Sequence, residues 1–315
     1  MTAGANGYTF TYVLDAPGIS GQSQYDGVAT TDGAYAMIVD EAERVLVAGY
    51  HSPVASANPI WDDAETDLCV WRFLASGEPD REFGTDGRFL LDRDRIECAE
   101  AIVRDSAARI YIAGTSRPRD EEDENHTQDM IVIRLHPDGS LDESFGTEGV
   151  FTYDNGLQIN DTAHALTIDR SNIHEERILV TGAHEQAIAI YCLDANGELD
   201  RGFGDEGVRL PCEDSAGTGR SIEIDAAGRI VVCGQNDQDL IVLRLEANGD
   251  LDHAFGEAGI LAWASDEDAG LQEGWDLAIN PTDGRIFVSG TSQNTYHDLT
   301  VWCVNSDGAL DPKFD

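Results

Sequence analysis

The stretch LDESFGTEG, residues 141–149, decides the fold because the chain repeats it with small changes. We call this recurring stretch the corner phrase. Its phenylalanines are separated by 62, 58, 52 and 59 residues, and such a spacing indicates a structural repeat. The other copies are PDREFGTDG (79–87), LDRGFGDEG (199–207), LDHAFGEAG (251–259) and the partial copy LDPKFD (310–315).

Four short strands are predicted in each repeat. A short apolar run follows the corner phrase, and a strand of small residues such as AHALTID (163–169) comes next. Then come a β-branched strand that ends in glycine, such as RILVTG (177–182), and a strand such as DLIVLRL (239–245). Helical periodicity is absent from these segments, and four-stranded units at this period are typical of β-propeller blades. The corner phrase would join the third strand to the outer fourth strand.

The same order of motifs resembles the delta-60 repeat propeller domains. The resemblance rests on strands like RILVTG and on stretches like IRLHPDGSLDESFGTEG (133–149), and it extends over residues 24–315. It implies a β-propeller fold and implies no particular activity.

Five blades are predicted, because five inner strands of small residues can be counted. We therefore expect one five-bladed β-propeller over residues 24–315, built from four-stranded antiparallel blades. Gly27–Thr31 would complete the C-terminal blade as its outer strand and close the ring. Residues 1–23 would form an N-terminal extension with one possible strand. The inner strands are predicted near 34–40, 99–105, 163–169, 219–225 and 274–280.

The charge is strongly negative, with 60 acidic against 20 basic residues and a net charge of −40. Such a field argues against binding to nucleic acid or to anionic membranes. The acidity fits a solvated surface like those of salt-adapted proteins, although attraction of cationic partners and metal binding stay open. The N-terminal stretch has neither a signal peptide nor a membrane span, so we expect a cytoplasmic protein, or a secreted one if the chain has been trimmed.

Loop length differs between the two faces of the predicted propeller. The first-to-second turns and the corner phrases are uniform, whereas the second-to-third and fourth-to-first connections vary. We call the face that carries the second-to-third and fourth-to-first connections the variable face. Function usually resides on variable loops held by a rigid scaffold. The long connections are 51–66, 116–128, 265–274 and 292–297.

A candidate ligand site lies on the inner strands. Their second position differs in every blade, and Asp276 also breaks the small-residue rule at the third position. Aromatic and charged groups at a channel mouth would suit a sugar or a small carboxylate. Alternatively, these side chains complete the packing between blades. The predicted ligand-binding residues are Tyr35, Glu100, His164, Arg220, Trp275 and Asp276.

Metal sites and cofactors are not predicted. The six cysteines form no CxxC motif and the eight histidines form no HxxxH motif, which argues against zinc. Calcium at corners such as DANGELD (194–200) is a weaker alternative, because the dense carboxylate pattern of calcium loops is missing. The aspartates that open the third strand indicate a structural role, in which each carboxylate accepts a hydrogen bond from a loop amide. These are Asp67, Asp129, Asp239 and Asp298.

Two functions compete. The favoured one is a non-catalytic binding or scaffold module that uses the variable face, with a small molecule, a glycan or a protein as partner. The alternative is a carbohydrate-active hydrolase or lyase with Glu100 and Asp276 as the carboxylate pair and His164 or Arg220 assisting. Glycoside hydrolysis needs two carboxyl groups about 5–9 Å apart, and this argument rests on fold analogy.

Overall fold

A computed structural model describes residues 31–53, 65–119, 127–154, 159–171, 176–264, 270–293 and 297–314. Every regular element in these ranges is a β-strand, which confirms the all-β class. The strands form five antiparallel sheets, consistent with five propeller blades. The chain divides into two compact units, whose described parts are residues 31–163 and 164–314.

The first unit contains two four-stranded sheets. Sheet 1 consists of β1 (Thr31–Val39), β2 (Val45–Ser52), β3 (Asp67–Phe73) and β4 (Arg88–Leu91). Sheet 2 consists of β5 (Arg95–Arg104), β6 (Ile110–Pro118), β7 (Asp129–Leu135) and β8 (Val150–Tyr153).

The second unit contains the other three sheets, apart from the first residues of β9. Sheet 3 consists of β9 (Asp161–Asp169), β10 (Arg177–His184), β11 (Ala187–Leu193) and β12 (Val208–Arg209). Sheet 4 consists of β13 (Gly217–Ile224), β14 (Ile230–Asn236), β15 (Asp239–Leu245) and β16 (Ile260–Trp263). Sheet 5 has three strands in the described residues: β17 (Gln272–Ile279), β18 (Ile286–Gln293) and β19 (His297–Val304).

The inner strands begin two to four residues earlier than predicted, because polar residues ahead of the small-residue run still pair in the ladder. Thr31 pairs with Ser52, and Arg95 pairs with Pro118. The assignment of Thr31 to an outer strand was therefore wrong, since it belongs to β1. The rest of that predicted strand, residues 27–30, and the extension 1–23 lie outside the described residues.

The corner phrase brings a phenylalanine into the core between neighbouring sheets, as predicted. Phe83, Phe203 and Phe255 are fully buried. Phe83 belongs to a cluster with residues of both sheet 1 and sheet 2, such as Leu68 and Ile131. Phe203 and Phe255 likewise belong to clusters that join sheet 3 to sheet 4 and sheet 4 to sheet 5. Phe314, in the partial last copy, is 45 % exposed, so the prediction of a buried ring was wrong there.

Backbone hydrogen bonds also connect neighbouring sheets at the corners. The Gly84 amide donates to the Asp138 carbonyl at 2.7 Å in the first unit. In the second unit the Gly204 amide donates to the Asn248 carbonyl at 2.9 Å. The glycine after the phenylalanine thus binds the turn of the next repeat. That turn contains a glycine of its own with a positive φ, which is 89° at Gly249. Glycine adopts this conformation at little cost.

A second series of backbone bonds lies on the variable face. The Glu97 amide donates to the Thr66 carbonyl at 2.8 Å in the first unit. The Gln272 amide donates to the Gln238 carbonyl at 2.8 Å in the second. The inner strands β5, β9, β13 and β17 are therefore each tied to the carbonyl just before the third strand of the preceding sheet.

Candidate functional site

The inner strands are interrupted at the position that varies between repeats. In four of them the ladder shifts register at one residue, which is a β-bulge. A bulge leaves one residue out of the ladder and re-aims its side chain, and bulges are common beside active sites. We call the residues at these shifts the bulge residues: Tyr35, Glu100, Arg220 and Trp275.

A glycine within the second strand lets the bulge form. Gly114 lies inside β6, which continues to Pro118, so the prediction that this strand ends at the glycine was wrong. Gly114 pairs with Ala99, next to the bulge at Glu100. A Cβ atom on Gly114 would overlap the Cys98 carbonyl oxygen, and a Cβ atom on Gly234 would overlap the Thr218 carbonyl oxygen. The glycine in motifs such as RIYIAG (109–114) therefore lets the bulged backbone approach closely.

In the first unit, Tyr35 and Glu100 are half-buried and interact electrostatically. The Tyr35 ring lies 6.0 Å from the Tyr50 ring, centroid to centroid. Burial, with the nearby Cys98 and Glu100, raises the pKa of Tyr35 far above its ordinary value. The phenol therefore stays protonated and can donate a hydrogen bond to a ligand.

A carboxylate–imidazole pair joins β1 to β2 in sheet 1, and no motif in the sequence predicted it. His51 Nδ1 lies 2.6 Å from Asp32 Oδ1, and His51 is only 9 % exposed. A carboxylate at Nδ1 fixes the orientation of the ring and of its other nitrogen. The available signal was weak, because one residue is near the start of β1 and the other near the end of β2. Such adjacent strand ends carry polar residues in most proteins.

Arginines hold the connections of the variable face in the first unit. Arg119 donates to Asp67 at 2.8 Å and Arg95 donates to Asp129 at 2.6 Å. The two aspartates thus have a structural role as predicted, but the partners found here are guanidinium groups and not loop amides. Burial raises the pKa of both carboxyl groups, and the neighbouring arginines oppose that shift.

Glu97 is the most deeply buried acid of this network, with no exposed surface. Its Oε1 accepts hydrogen bonds from Arg93 and Ser116. Burial raises the pKa of Glu97, although the charge of Arg93 lowers it. The ion pair between Arg93 and Glu97 connects the segment that precedes β5 to β5, the inner strand of sheet 2.

In the second unit, Arg220 and Trp275 are in contact. The Arg220 guanidinium lies 4.8 Å from the centre of the Trp275 ring. Trp275 Nε1 donates to Thr291 Oγ1 at 3.3 Å, and Thr291 Oγ1 donates to Glu273 Oε2 at 3.2 Å. Hydrogen bonds beyond the ring therefore fix the indole on which the guanidinium rests.

Asp276 turns toward sheet 4. Its Oδ1 accepts a hydrogen bond from Ser221 Oγ at 2.9 Å and another from the Leu277 amide at 3.0 Å. Burial raises the pKa of Asp276, and these hydrogen bonds oppose the shift. Two groups of the protein therefore orient the carboxyl group of Asp276 through Oδ1.

His164 is half-buried in β9. Of the six predicted site residues, Arg220 and Trp275 are in contact, while the charge of Glu100 contributes to the raised pKa of Tyr35. Convergence of all six residues stays a prediction, and so does the pairing of Glu100 with Asp276.

Metal ligands are not gathered in the described ranges, where no group of three or more His, Cys, Asp and Glu residues could hold an ion. At the corner considered for calcium, the Asp194 carboxylate accepts hydrogen bonds from the Asn196 and Glu198 amides. A cavity of about 320 Å³ opens beside it, with Arg177 in its wall.

In the described part of the chain, no helix has the length and apolarity that a membrane span requires.

Three segments match the family model described as "Domain of unknown function (DUF5122) beta-propeller": residues 109–145, 228–255 and 282–314. The chain carries DUF5122 β-propeller repeats. Each matched segment spans the second strand, the third strand and the corner phrase. The bulge residues lie outside these DUF5122 segments. In three repeats the family model therefore covers the second and third strands and leaves out the inner strand that carries the bulge.

Solved structures match this chain only at low identity. A protein of unknown function from Bacteroides caccae matches at 9% identity with a TM-score of 0.49, over 98% of this chain and 90% of that chain. An exo-1,5-alpha-L-arabinanase from a bovine ruminal metagenomic library matches at 10% identity with a TM-score of 0.41, over 91% of this chain and 100% of that chain. No curated protein matches the sequence. At these values the likenesses say nothing about activity.

Proposed function

We propose that this DUF5122 propeller is a non-catalytic binding module, which holds a small molecule or glycan at its bulge residues, beside the loops of the variable face. One observation carries the proposal: the β-bulges occur at the residue position that varies from repeat to repeat. The inner strand leaves its ladder at the one position where Tyr35, Glu100, Arg220 and Trp275 differ in chemistry. His164 and Asp276 complete the proposed set.

The repeated positions have structural roles, which supports assigning binding to the varied ones. Corner phenylalanines fill the core and corner glycines bind the next repeat. Tyr35, in contrast, is half-buried and forms no part of this shared pattern. A polar or aromatic group that differs in every repeat is not part of the repeated pattern, which supports a role in binding.

A thermal-shift screen of the full chain tests the binding function. A ligand at a hundredfold its Kd stabilises the folded state by about 2.7 kcal/mol, which raises the melting midpoint by several degrees. We expect sugars or small carboxylates to cause such a shift in the wild type. The shift should be reduced in Glu100→Gln and Arg220→Gln and kept in Arg201→Gln, where an exposed arginine changes instead.

If no compound shifts the midpoint, the bulge residues are packing residues. A protein partner on the variable-face loops then becomes the better hypothesis.

Ring closure belongs to the same proposal. In the other four sheets the third strand pairs with a fourth, whereas β19 has one neighbour in the described residues. We propose residues 27–30 as its missing partner, in the register of β8 on β7. In that pairing Thr152 lies opposite Ile131. In the alignment of the repeats Thr30 corresponds to Thr152 and Thr300 to Ile131, so Thr30 would face Thr300. Oxidation of the double variant Thr30→Cys/Thr300→Cys should give a cross-linked chain with altered gel mobility, and no cross-link would contradict the closure.

A carbohydrate-active hydrolase or lyase is the second candidate, and the raised pKa of Asp276 favours it, since a general acid needs that property. Glu100 would supply the second carboxylate. Release of nitrophenol from a panel of nitrophenyl glycosides, lost in Asp276→Asn, would establish this activity. Its absence over the whole panel would leave the binding module.

A further inference from the structure

Two arginines of sheet 2 lie side by side at the variable face. Arg93 Nη2 donates a hydrogen bond to Ser116 Oγ at 3.4 Å, and Arg95 Nε donates to the same oxygen at 2.6 Å. Both guanidinium groups therefore lie against one hydroxyl group. Because like charges at such short range repel each other, this arrangement favours the binding of an anion beside them.

Each of the two arginines has a carboxylate partner, but neither contact is bidentate. Arg93 reaches Glu97 through Nε at 2.7 Å and Nη2 at 2.6 Å, and both nitrogens contact the same oxygen, Oε1. Glu97 Oε2 is buried and accepts no hydrogen bond from the described part of the chain. Arg95 donates to Asp129 through Nη2 alone, at 2.6 Å. The two parallel bonds of a full arginine–carboxylate pair are therefore missing at both contacts.

Each guanidinium group keeps one nitrogen open. Within the described residues, the hydrogen bonds of Arg93 and Arg95 use Nε and Nη2 and leave out Nη1. Neither Nη1 is a buried atom without a partner, and the two side chains are 30 % and 29 % exposed. The open nitrogens therefore reach solvent. The neighbouring Arg119 differs, because its Nε, Nη1 and Nη2 each donate to an acceptor of the protein.

The protein already holds both guanidinium groups in position. Ser116 Oγ accepts hydrogen bonds from the two arginines and donates one to Glu97 Oε1 at 3.3 Å. Glu97 has no exposed surface, so the group that anchors Arg93 is fixed inside the protein. An arginine that is oriented before a ligand arrives loses less conformational entropy on binding.

Two open guanidinium nitrogens suit an oxyanion. Each Nη1 carries N–H donors and no acceptor, and bonds from a guanidinium group to carboxylate or phosphate oxygens are about twice as strong as bonds between neutral groups. The net charge of −40 repels polyanions, because its field reaches about 10 Å at about 0.1 M salt. A single oxyanion group on a small molecule therefore fits this surface better than a polymer does.

We propose that Arg93 and Arg95 bind the oxyanion of a small molecule, a carboxylate or a phosphate group, through their Nη1 atoms. Glu97 and Ser116 position Arg93, and Ser116 and Asp129 position Arg95. This site is separate from the bulge residues, so the inference does not depend on the binding function proposed for them.

Calorimetric titration of the full chain at constant pH and ionic strength tests the inference. Sodium acetate is the probe for a carboxylate, sodium phosphate is the probe for a phosphate group, and sodium chloride controls for a general effect of anions. We expect at least one of the two oxyanions to bind about tenfold or more tightly than chloride. The stronger of the two identifies the group that the site prefers.

Two double variants assign the binding to the arginines without leaving a buried charge unpaired. They are Arg93→Gln/Glu97→Gln and Arg95→Gln/Asp129→Asn, and each removes both members of an ion pair. Because hydrogen bonds to charged groups are lost, each double variant should weaken oxyanion binding about tenfold or more.

Arg229→Gln/Asp225→Asn is the matched control. The Arg229 side chain is also 30 % exposed and paired with a carboxylate, but its Nη1 already donates to Asp252. Removal of this pair should therefore leave oxyanion binding unchanged. Circular dichroism shows whether each variant is folded.

If a double variant does not fold, modification of the wild type by phenylglyoxal decides instead. Bound acetate or phosphate should slow the labelling of Arg93 and Arg95, measured by peptide mass spectrometry, and should not slow that of Arg81, whose side chain is 79 % exposed. Equal rates with and without the oxyanion would contradict the site.

Binding of acetate and phosphate no tighter than that of chloride would overturn the inference. Oxyanion binding that both folded double variants keep would overturn it as well. Neither result bears on the bulge residues, because the thermal-shift screen tests their binding function separately with variants of Glu100 and Arg220.

Discussion

The Arg244 guanidinium lies over the Phe255 ring, 4.5 Å from its centroid, and joins the corner of sheet 4 to sheet 5. Its Nε donates to Asp252 at 2.7 Å, and one terminal nitrogen donates to the Ser306 carbonyl at 2.5 Å. In sheet 3 the equivalent position holds Cys192. There Arg177, from another strand, reaches both the corner aspartate Asp200 and the Ala247 carbonyl. The interaction is thus kept although the residue that makes it has changed.

Removing this guanidinium should be strongly destabilising. Arg244 and Asp252 have side chains only 4 % and 7 % exposed. Breaking a buried pair leaves the other charge uncompensated, so we expect Arg244→Ala to lower the free energy of unfolding by about 3–5 kcal/mol. Urea denaturation measures the change.

Arg201→Ala is the control for that experiment. Arg201 also forms an ion pair, with Glu206, but the two side chains are 83 % and 71 % exposed. Exposed pairs contribute about 0–1 kcal/mol. Similar losses of unfolding free energy in both variants would show that the corner contact contributes no more than an exposed ion pair.

The corner aspartates predict acid sensitivity. Burial raises the pKa of Asp142, but hydrogen bonds from Ser144 and Arg134 outweigh it and lower the pKa to about 2, against an ordinary 3.8. The folded state therefore gains about 2 kcal/mol from this group above pH 4 and loses it as the pH falls toward 2. Asp142→Asn removes the dependence.

The measurement compares unfolding of wild type and Asp142→Asn from pH 5 down to pH 2. We expect the stability difference between them to shrink as the pH falls. Asp86→Asn, at an exposed pair with Arg81, controls for general charge effects. A difference that is constant with pH would contradict the assignment.

The glycine opposite a bulge gives a third prediction. A Cβ atom on Gly114 would overlap the Cys98 carbonyl oxygen and come within 3.0 Å of the Ala99 Cα. Because both neighbours are backbone, Gly114→Ala should destabilise the protein by about 1–3 kcal/mol and displace Glu100. Gly202→Ala is the control, since its nearest contact is an aspartate side chain at 3.2 Å. Equal effects in thermal unfolding would refute the steric argument.

The fold was largely predictable because repetition tests each pattern several times. The corner phrase predicted buried phenylalanines, and Phe83 and Phe203 are buried. The variable position was also visible in the sequence. Its bulge was not, because a register shift depends on how β5 meets Gly114 on the neighbouring strand.

The remainder of the site could not be predicted for physical reasons. Asp32 and His51 are 19 residues apart and meet only through the hairpin register. The stacking of Arg220 on Trp275 joins two repeats, and no local pattern encodes such a contact. The proposed closure of the ring involves residues 27–30, which lie outside the described part of the chain.

Cysteine reactivity should separate the thiols by burial. Burial raises the pKa of Cys192 to about 12 and raises that of Cys69, Cys98 and Cys233 well above the ordinary value. Cys212 is only half-buried. Since the thiolate is the reactive form, an alkylating reagent at neutral pH should label Cys212 first. Peptide mass spectrometry of the native protein checks this, and early labelling of Cys192 would contradict the buried position of β11.

The acidity itself leads to the last prediction, which separates the two main explanations for a net charge of −40. Repulsion between exposed carboxylates opposes the compact state. Salt screens this repulsion, and the screening length falls to about 3 Å at 1 M salt. If the charge is a solvated surface, the melting midpoint should rise with salt equally for NaCl and KCl. Millimolar CaCl₂ at the same ionic strength should then add nothing. A rise specific to calcium would instead indicate a bound cation, and the acidic corners such as residues 194–200 would be the first place to substitute.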